Sequence, residues 1–211
     1  MVYFPVLKIV LAYLLGSLSG SLLLGRLRHV DIRQAGSGNA GGTNAFRTQG
    51  FAFALGVVII DIGKGVIAAL LLARLPFSAP GESWSPATLS VLCGFAAIVG
   101  HCFPLWHGFR GGKGAATSVG VLLIVQPTAL LPMIATWLLV LGLSGWVGLA
   151  TMLAGISLVP AMLWLNAGQA QLWFAMALAA FLVFTHRNNI RKMLGGTEYR
   201  FESAMIRHWF R

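Results

Sequence analysis

Three polar segments of the chain combine positive charge with small hydrogen-bond donors. The first, GSGNAGGTN at 36–44, is followed by Arg47. The second, GFRGGKGAATS at 108–118, places Lys113 among glycines, and the third, HRNNIRKMLGGTE at 186–198, adds a histidine and two asparagines. Glycine lets backbone N–H groups come close to an anion, and arginine and lysine supply the positive charge that suits phosphate. Together the segments predict a composite site for a phosphate-bearing ligand, although a glycine-rich loop alone is more typical of a flexible solvated loop.

Two nucleotide-binding patterns occur within these segments, but neither has the context that it needs. The glycines of 36–41 match G-x-G-x-x-G, and Asp61 follows at the usual spacing. A dinucleotide loop joins a strand to a helix, whereas this one joins two apolar segments. The GGKG stretch is not a P-loop, because His107 and Gly114 replace its first glycine and its hydroxyl residue. The two cysteines are too far apart on one helix for a disulfide. We therefore predict no cofactor and no metal.

The composition of the chain indicates that these segments border a membrane. Of the 211 residues, 57% are hydrophobic and 9% are charged, whereas soluble domains carry about 25% charged residues. A helix needs about 20 apolar residues to cross a bilayer, and the alternation typical of a transmembrane β-barrel is absent. We predict an all-α polytopic membrane protein with a single domain over residues 1–211. About seven transmembrane helices are expected, at 3–24, 51–73, 87–103, 115–131, 132–148, 149–166 and 171–185.

The distribution of positive charge predicts which face of the membrane carries the polar segments. Most of the 15 lysines and arginines lie after the first apolar segment, after the third, and in the C-terminal tail. Under the positive-inside rule these regions are cytoplasmic, which places the N-terminus outside and the C-terminus in the cytoplasm. That orientation requires an odd number of spans, and seven satisfies it. The cytoplasmic segments are then about 25–50, 104–114 and 186–211.

A few ionisable residues lie within or beside the apolar segments. Asp61 and Lys64 are three residues apart on one helical face inside the second segment. Ionisable groups inside a membrane usually pair or serve a site. For Asp61 we predict an internal ion pair that holds helices in register; for Lys64 this pairing and a place at the cytoplasmic rim are both open. His101 and His107 are predicted to bond carbonyl groups, and Glu198 to pair with an arginine.

These stretches together resemble one family, the bacterial membrane-bound acyl-phosphate:glycerol-3-phosphate acyltransferases. The matching pieces occur in the family's order over most of the chain: GSLSGSLLLGRL, DIRQAGSGNAGGTNAFRTQG, DIGKG, GHCFPLWHGFRGGKGAATSVG and HRNNIRKMLGGTE. Small departures are Ser19 and Gly20, where the family often has proline nearby, and His107, where a smaller or apolar residue is usual. None of them removes a candidate donor.

The resemblance implies transfer of a fatty acyl group from acyl phosphate to the sn-1 hydroxyl of glycerol 3-phosphate, giving lysophosphatidic acid and inorganic phosphate. The partners it implies are these two substrates and the lipid bilayer, with no nucleic acid. The implied location is the bacterial cytoplasmic (inner) membrane, with the active site on the cytoplasmic side. A transporter or channel for an anionic solute and a scaffold that binds anionic lipid are the alternatives.

The resemblance also carries site residues over to this chain. The residues assigned to catalysis are Ser37, His186 and Asn189. The residues assigned to phosphate binding are Arg47, Lys113, Asn39, Thr43, Asn44, Gly38, Gly41, Gly111 and Gly112. In this hypothesis Arg47 and Lys113 hold glycerol phosphate, the backbone amides of 37–44 hold the acyl phosphate, and His186 with Asn189 orients the attacking hydroxyl. Either His186 or an oxygen of the substrate phosphate accepts the proton.

Overall fold

The computed structural model describes residues 4–76 and 84–206, and within these ranges the chain is helical with no β-strand. The prediction of an all-α protein is confirmed. Ten α-helices follow one another in the described ranges: α1 (Phe4–Gly16), α2 (Gly20–Leu27), α3 (Gly42–Gln49), α4 (Phe51–Ile67), α5 (Pro86–Cys102), α6 (Ala115–Val125), α7 (Leu130–Ser144), α8 (Val147–Trp164), α9 (Gln169–Thr185) and α10 (Arg187–Leu194).

The described helices provide four to six candidate membrane spans. Four stretches are long and apolar enough to cross a bilayer, namely Phe51–Leu72, Pro86–His107, Pro127–Ser144 and Val147–Trp164. The pair α1 and α2, bent by 44°, and the pair α9 and α10, bent by 52°, raise the number to six if each pair is one span. Helix α6, a shorter apolar helix, is the remaining segment that the sequence marks out. The number seven and the orientation of the termini stay predictions.

The chain divides into two compact units, Met1–Val125 and Gln126–Arg211. The first contains α1 to α6 and the second contains α7 to α10. In the first unit α1 packs against α5 and α4 packs against α6, while in the second α8 packs against both α7 and α9. The single domain over 1–211 stays a prediction.

Glycine allows the helices of the first unit to approach one another closely. A Cβ atom added at Gly16 would overlap the backbone of Ala97 on α5, and one at Gly100 would overlap the backbone of Tyr13 on α1. Gly65 and Gly120 form the same kind of contact between α4 and α6. Small residues at helix crossings are typical of membrane bundles, because packing rather than apolar burial holds the helices together.

The apolar stretch from 115 to 166 breaks at different residues from those predicted. Helix α6 ends at Val125, so the expected segment 115–131 is interrupted. The break falls at Gln126, whose backbone is non-helical (φ −159°, ψ 79°), because the residue before a proline is disfavoured in the helical region. Pro132, which the sequence also marks as a breaker, lies in the first turn of α7, where proline is tolerated.

A buried charged cluster lies inside the first unit. Nζ of Lys64 is 3.0 Å from Oδ1 of Asp61, and the two side chains are 3% and 1% exposed. The predicted internal ion pair is therefore confirmed, and Lys64 is buried rather than at a rim. His101 does not fit the prediction of a simple carbonyl contact: its Nδ1 is 2.9 Å from Nζ of Lys64 and 3.4 Å from Oδ1 of Asp61.

Candidate functional site

Asn44, in the first turn of α3, closes the glycine loop that leads into this helix. Its side-chain amide donates to the carbonyls of Ile32 (2.8 Å) and Ala35 (3.1 Å), and its Oδ1 accepts from the backbone N–H of Ser37 (2.9 Å). Asn44 is 1% exposed and both of its amide hydrogens are donated within the loop. The Asn44 side chain is thus engaged in closing the turn, and the assignment of Asn44 to phosphate binding stays a prediction.

The loop turns through two glycines that need their conformational freedom. Gly36 and Gly38 have φ of 60° and 72°, in the left-handed region that favours glycine. The N–H of Gly38 donates to Ala35 (3.1 Å), so the amides of Ser37 and Gly38 both close the turn. The side chain of Ser37 is exposed on its outside. The backbone amides of Ser37 and Gly38, two of the hydrogen-bond donors predicted to bind phosphate, are thus already engaged. The hydroxyl of Ser37 is exposed and remains accessible to a ligand.

The N-terminus of α3 supplies backbone N–H groups that the preceding turn does not use. Gly41 is the N-cap residue in an extended conformation, and no side chain caps the helix there. The first N–H groups of a helix have no intrahelical acceptor, and the helix dipole makes this end attractive to anions. Thr43 is exposed and Arg47, four residues later on the same face, is half-buried; Asn39 beside Gly41 is also half-buried. Amide donors therefore lie at this helix end, and the charge of Arg47 lies on the same face in the last turn of the helix.

The second glycine loop uses its backbone differently. The N–H of Gly111 donates to the carbonyl of Cys102 (3.2 Å), and the N–H of Gly112 donates to the carbonyl of His101 (3.1 Å). These two hydrogens close the loop onto the end of α5, and the assignment of Gly111 and Gly112 to phosphate binding stays a prediction. Lys113 is half-buried and lies two residues before α6 begins. Its ammonium group is the group of this loop that we predicted as a phosphate ligand.

Asp31 and Arg33 connect the two glycine loops. The Asp31 carboxylate accepts from the backbone N–H of Arg33 and from the guanidinium, with Nη2 at 2.7 Å. Nη1 of Arg33 donates to the carbonyls of His107 and Arg110, each at 3.2 Å. The hydrogen bonds from Arg33 hold the pKa of Asp31 below its ordinary value. One guanidinium thus fixes the segment before the first loop against the segment before Lys113.

His186 lies at the bend between α9 and α10 in the second unit, where it is 4% exposed. Its Nδ1 is 2.8 Å from the carbonyl oxygen of Leu182. A carbonyl only accepts hydrogen bonds, so Nδ1 carries the ring hydrogen in this arrangement and Nε2 is the acceptor nitrogen of the neutral ring. The helix bend therefore selects the tautomer that can accept a proton at Nε2.

Asn189, on the first turn of α10, is oriented by Glu198. Its Nδ2 donates to Oε1 of Glu198 at 2.6 Å, so Glu198 pairs with an amide and not with the arginine predicted for it. The backbone N–H of Glu198 donates to the carbonyl of Lys192 at the end of α10. A Cβ atom added at Gly148 would lie 3.0 Å from the Asn189 side chain. The carboxylate and the glycine together fix the direction of the Asn189 amide.

The described residues contain no group of three His, Cys, Asp or Glu side chains arranged to hold a metal ion. One open cavity of about 470 Å³ lies beside the first loop and is lined by Arg26, His29, Asp31, Arg33 and His107, among others. None of the predicted site residues lines it.

Comparison with known proteins decides the family. The model of the family described as glycerol-3-phosphate acyltransferase matches residues 6–196. The chain belongs to this glycerol-3-phosphate acyltransferase family. Curated relatives named glycerol-3-phosphate acyltransferase include one from Symbiobacterium thermophilum, 41% identical over 90% of this chain and 92% of the relative, and one from Pseudomonas paraeruginosa, 39% identical over 91% and 97%.

The fold comparison agrees with the family. The crystal structure of PlsY, an integral membrane glycerol 3-phosphate acyltransferase, in its glycerol 3-phosphate form has a TM-score of 0.83 and 33% identity, covering 94% of this chain and 96% of that one. A second PlsY structure, the lysophosphatidic acid form, has a TM-score of 0.81. The resemblance deduced from the motifs is confirmed, and this chain is a multi-pass membrane acyltransferase.

Several residues that build the site of this glycerol-3-phosphate acyltransferase were not among the sequence candidates. They are Asp31 and Arg33, which join the loops, and Ser21, whose hydroxyl donates to the carbonyl of Ala40 at 3.1 Å. The D-x-R spacing, which lets a carboxylate accept from the N–H two residues on, was the available signal for the first two. For Ser21 no local signal exists, since its partner lies 19 residues away.

Proposed function

We propose that this acyltransferase moves a fatty acyl group from acyl phosphate to the sn-1 hydroxyl of glycerol 3-phosphate, releasing lysophosphatidic acid and inorganic phosphate. The single observation that carries the proposal is the N-terminus of α3, where amides without a side-chain cap and Thr43 follow a loop closed by Asn44, with Arg47 in the last turn of the same helix. Such an arrangement suits a phosphate group. The forms in which PlsY was crystallised support glycerol 3-phosphate as acceptor and lysophosphatidic acid as product.

The donor assignment follows from the chemistry of the available side chains. An acyl phosphate is a mixed anhydride, so its carbonyl is already activated and no covalent acyl-enzyme is needed. The substrate hydroxyl attacks the carbonyl carbon, the bond between that carbon and the phosphate oxygen breaks, and phosphate leaves with the bonding electrons. The enzyme has to hold two phosphate-bearing substrates close together, which calls for cations and amides rather than carboxylates. The His-x-x-x-x-Asp motif of acyl-CoA-dependent acyltransferases does not begin at His29, His101, His107 or His186.

We assign the roles of the binding residues as follows. Arg47 and Lys113 bind the phosphate of glycerol 3-phosphate. The first-turn amides of α3, with Ser37, Asn39 and Thr43, bind the phosphate of the donor, which is the leaving group. The positive end of the helix dipole stabilises the charge that grows on that phosphate as the carbonyl–oxygen bond breaks.

His186 is the proposed acceptor of the hydroxyl proton, and Asn189 orients the attacking group. The bond from Nδ1 of His186 to Leu182 supports this role, because it leaves Nε2 as the basic nitrogen. Glu198 holds the Asn189 amide and is a positioning residue. An oxygen of the substrate phosphate is the alternative acceptor, and it predicts activity that falls little when His186 is replaced.

The proposed location is the bacterial inner membrane with the N-terminus outside, seven spans, and the phosphate-binding loops facing the cytoplasm. The concentration of lysines and arginines in the polar segments supports this orientation. A cysteine introduced at Gln49 should react with a membrane-impermeant reagent only from the cytoplasmic side. Labelling of Gln49→Cys from the outside would contradict the orientation without affecting the reaction assignment.

The reaction is tested by offering the purified protein two donors of equal chain length and concentration, acyl phosphate and acyl-CoA, with glycerol 3-phosphate. We expect lysophosphatidic acid and stoichiometric inorganic phosphate from acyl phosphate, and little product from acyl-CoA, because a thioester places no phosphate beside its carbonyl. Arg74→Ala, which removes an exposed arginine outside the motif segments, is the matched control for Arg47→Ala. Comparable rates with both donors would overturn the donor assignment.

A further inference from the structure

The buried cluster of Asp61, Lys64 and His101 has no place in the chemistry proposed above. Their side chains are 1%, 3% and 3% exposed, and they come from two different helices, α4 and α5. Burying charges is costly, and a buried ion pair is weak evidence for stability in itself. The role of the cluster is therefore sought in the backbone segments that its side chains contact.

On one side the cluster holds the break in the first helix pair. Nζ of Lys64 donates to the carbonyls of Gly16 and Leu18, each at 2.9 Å, and Oδ1 of Asp61 accepts from the N–H of Gly20 at 3.2 Å. These are the backbone groups that lose their helical partners where α1 ends and α2 begins. The ion pair thus supplies both the donor and the acceptor that a helix break inside an apolar bundle needs.

On the other side the cluster holds the loop that carries Lys113. The His101 carbonyl accepts from the N–H of Gly112, and the His101 ring lies directly against the Cα of Gly112. A Cβ atom added at Gly112 would fall within 3.0 Å of three ring atoms, with Nε2 the nearest. The ring cannot easily turn away, because its other nitrogen, Nδ1, lies 2.9 Å from Nζ of Lys64 and 3.4 Å from Oδ1 of Asp61. Lys113 directly follows Gly112, so contacts that fix the position of Gly112 also fix where the Lys113 side chain begins.

We propose that Asp61, Lys64 and His101 are positioning residues that fix Lys113 by holding the Gly111–Gly112 backbone against the end of α5. This inference rests on the proposed phosphate-binding role of Lys113. His101 touches no substrate; it acts through Gly112, and Lys64 with Asp61 acts through His101. A misplacement of about 1 Å at a binding group can cost about a hundredfold in rate, so such a support has a kinetic signature.

Gly112 and His101 provide the test, because removing Lys64 or Asp61 alone would leave a buried unpaired charge and endanger folding. The glycines with positive φ in the described ranges do not include Gly112, so Gly112→Ala introduces a clash and no backbone strain. Gly63→Ala is the matched control, since a Cβ atom there meets nothing within 4 Å. We expect Gly112→Ala to raise the KM for glycerol 3-phosphate roughly tenfold and Gly63→Ala to leave it unchanged.

The decisive variant combines Gly112→Ala with His101→Ala. If the ring and the loop act on each other, removing the ring relieves the clash, and the double variant is no worse than His101→Ala alone. If the two residues act independently, the effects of the single substitutions on KM multiply in the double variant. That result would overturn the inference. Equal kinetics of Gly112→Ala and wild type would do the same.

A readout without substrate separates this inference from the proposed function. The alkylation rate of a cysteine at position 113 (Lys113→Cys) reports its exposure, and the buried Cys93 and Cys102 give little background. We expect His101→Ala to change this rate severalfold in folded protein, while Gly63→Ala leaves it unchanged. An unchanged rate would contradict the positioning role. A changed rate combined with normal kinetics of Lys113→Ala would keep the positioning of the loop and reject Lys113 as a phosphate ligand.

Discussion

The two glycine loops of the first unit look alike in sequence and differ in what their backbones do. The loop at 36–44 closes on the Asn44 side chain and leads into the uncapped N-terminus of α3. The loop at 108–114 donates the amides of Gly111 and Gly112 to carbonyls at the end of α5. Glycine allows a tight turn in the first loop and close packing in the second. A glycine-rich pattern by itself therefore does not reveal which backbone amides remain available to a ligand.

The largest expected effect distinguishes the loops by their cations. Arg47→Ala and Lys113→Ala should each reduce kcat/KM for glycerol 3-phosphate by about tenfold to more than a hundredfold, since hydrogen bonds to charged groups contribute about 1.5–3 kcal/mol. Arg74→Ala should remain near wild type. Activity is measured as initial rate at varied glycerol 3-phosphate in protein that retains its thermal unfolding transition. Normal kcat/KM in either variant would remove that cation from the site.

The next effect concerns Asn44 and Asn39, which lie in the same loop and carry the same side chain. Asn44→Ala removes three hydrogen bonds inside a buried turn, so we expect a loss of roughly 2–3 kcal/mol in stability together with most of the activity. Asn39→Ala, at a half-buried position, should lower activity with little change in stability. Thermal unfolding in detergent and the phosphate-release rate measure the two quantities. Equal stability of the two variants would contradict the structural role of Asn44.

Glu198 and its neighbour Asn189 offer a comparison outside the first unit. Glu198→Ala removes the acceptor of the Asn189 amide, whereas Glu198→Gln keeps an oxygen that can accept the same hydrogen bond. We expect the alanine variant to lose about tenfold in kcat and the glutamine variant to retain more than the alanine variant, because a lost hydrogen bond costs roughly 1–2 kcal/mol. Identical losses would show that the negative charge, and not the orientation of Asn189, is what matters.

The smallest effect concerns the link between the loops. The lowered pKa of Asp31 means that its pairing with Arg33 stabilises the folded protein above the ordinary carboxyl pKa and that this contribution is lost as the pH falls through the lowered value. Asp31→Asn should therefore destabilise by about 0.2–1 kcal/mol at pH 7, and the difference from wild type should shrink below about pH 4. A difference that grows on acidification would contradict the assignment.

The sequence predicted the elements better than the contacts between them. Hydropathy located the apolar helices, and the motifs identified the family, because both signals are local. Pro127 explains the observed break at Gln126. The sequence analysis placed the end of this segment several residues later, at 131, because the neighbouring residues are equally apolar. The use of the Gly111 and Gly112 amides could not be predicted, because it depends on how close the end of α5 lies. The roles of Arg33 and Glu198 likewise depend on partners that only the folded chain brings near.

Amide hydrogen exchange of the two loops tests the central comparison most directly. The purified protein is exchanged with and without a non-hydrolysable acyl phosphonate, and peptides covering 36–47 and 108–115 are followed. We expect the phosphonate to slow exchange in 36–47, where the first-turn amides of α3 receive it. The amides of Gly111 and Gly112 should already be protected without ligand and change little. Ligand protection confined to 108–115, with none in 36–47, would contradict the account.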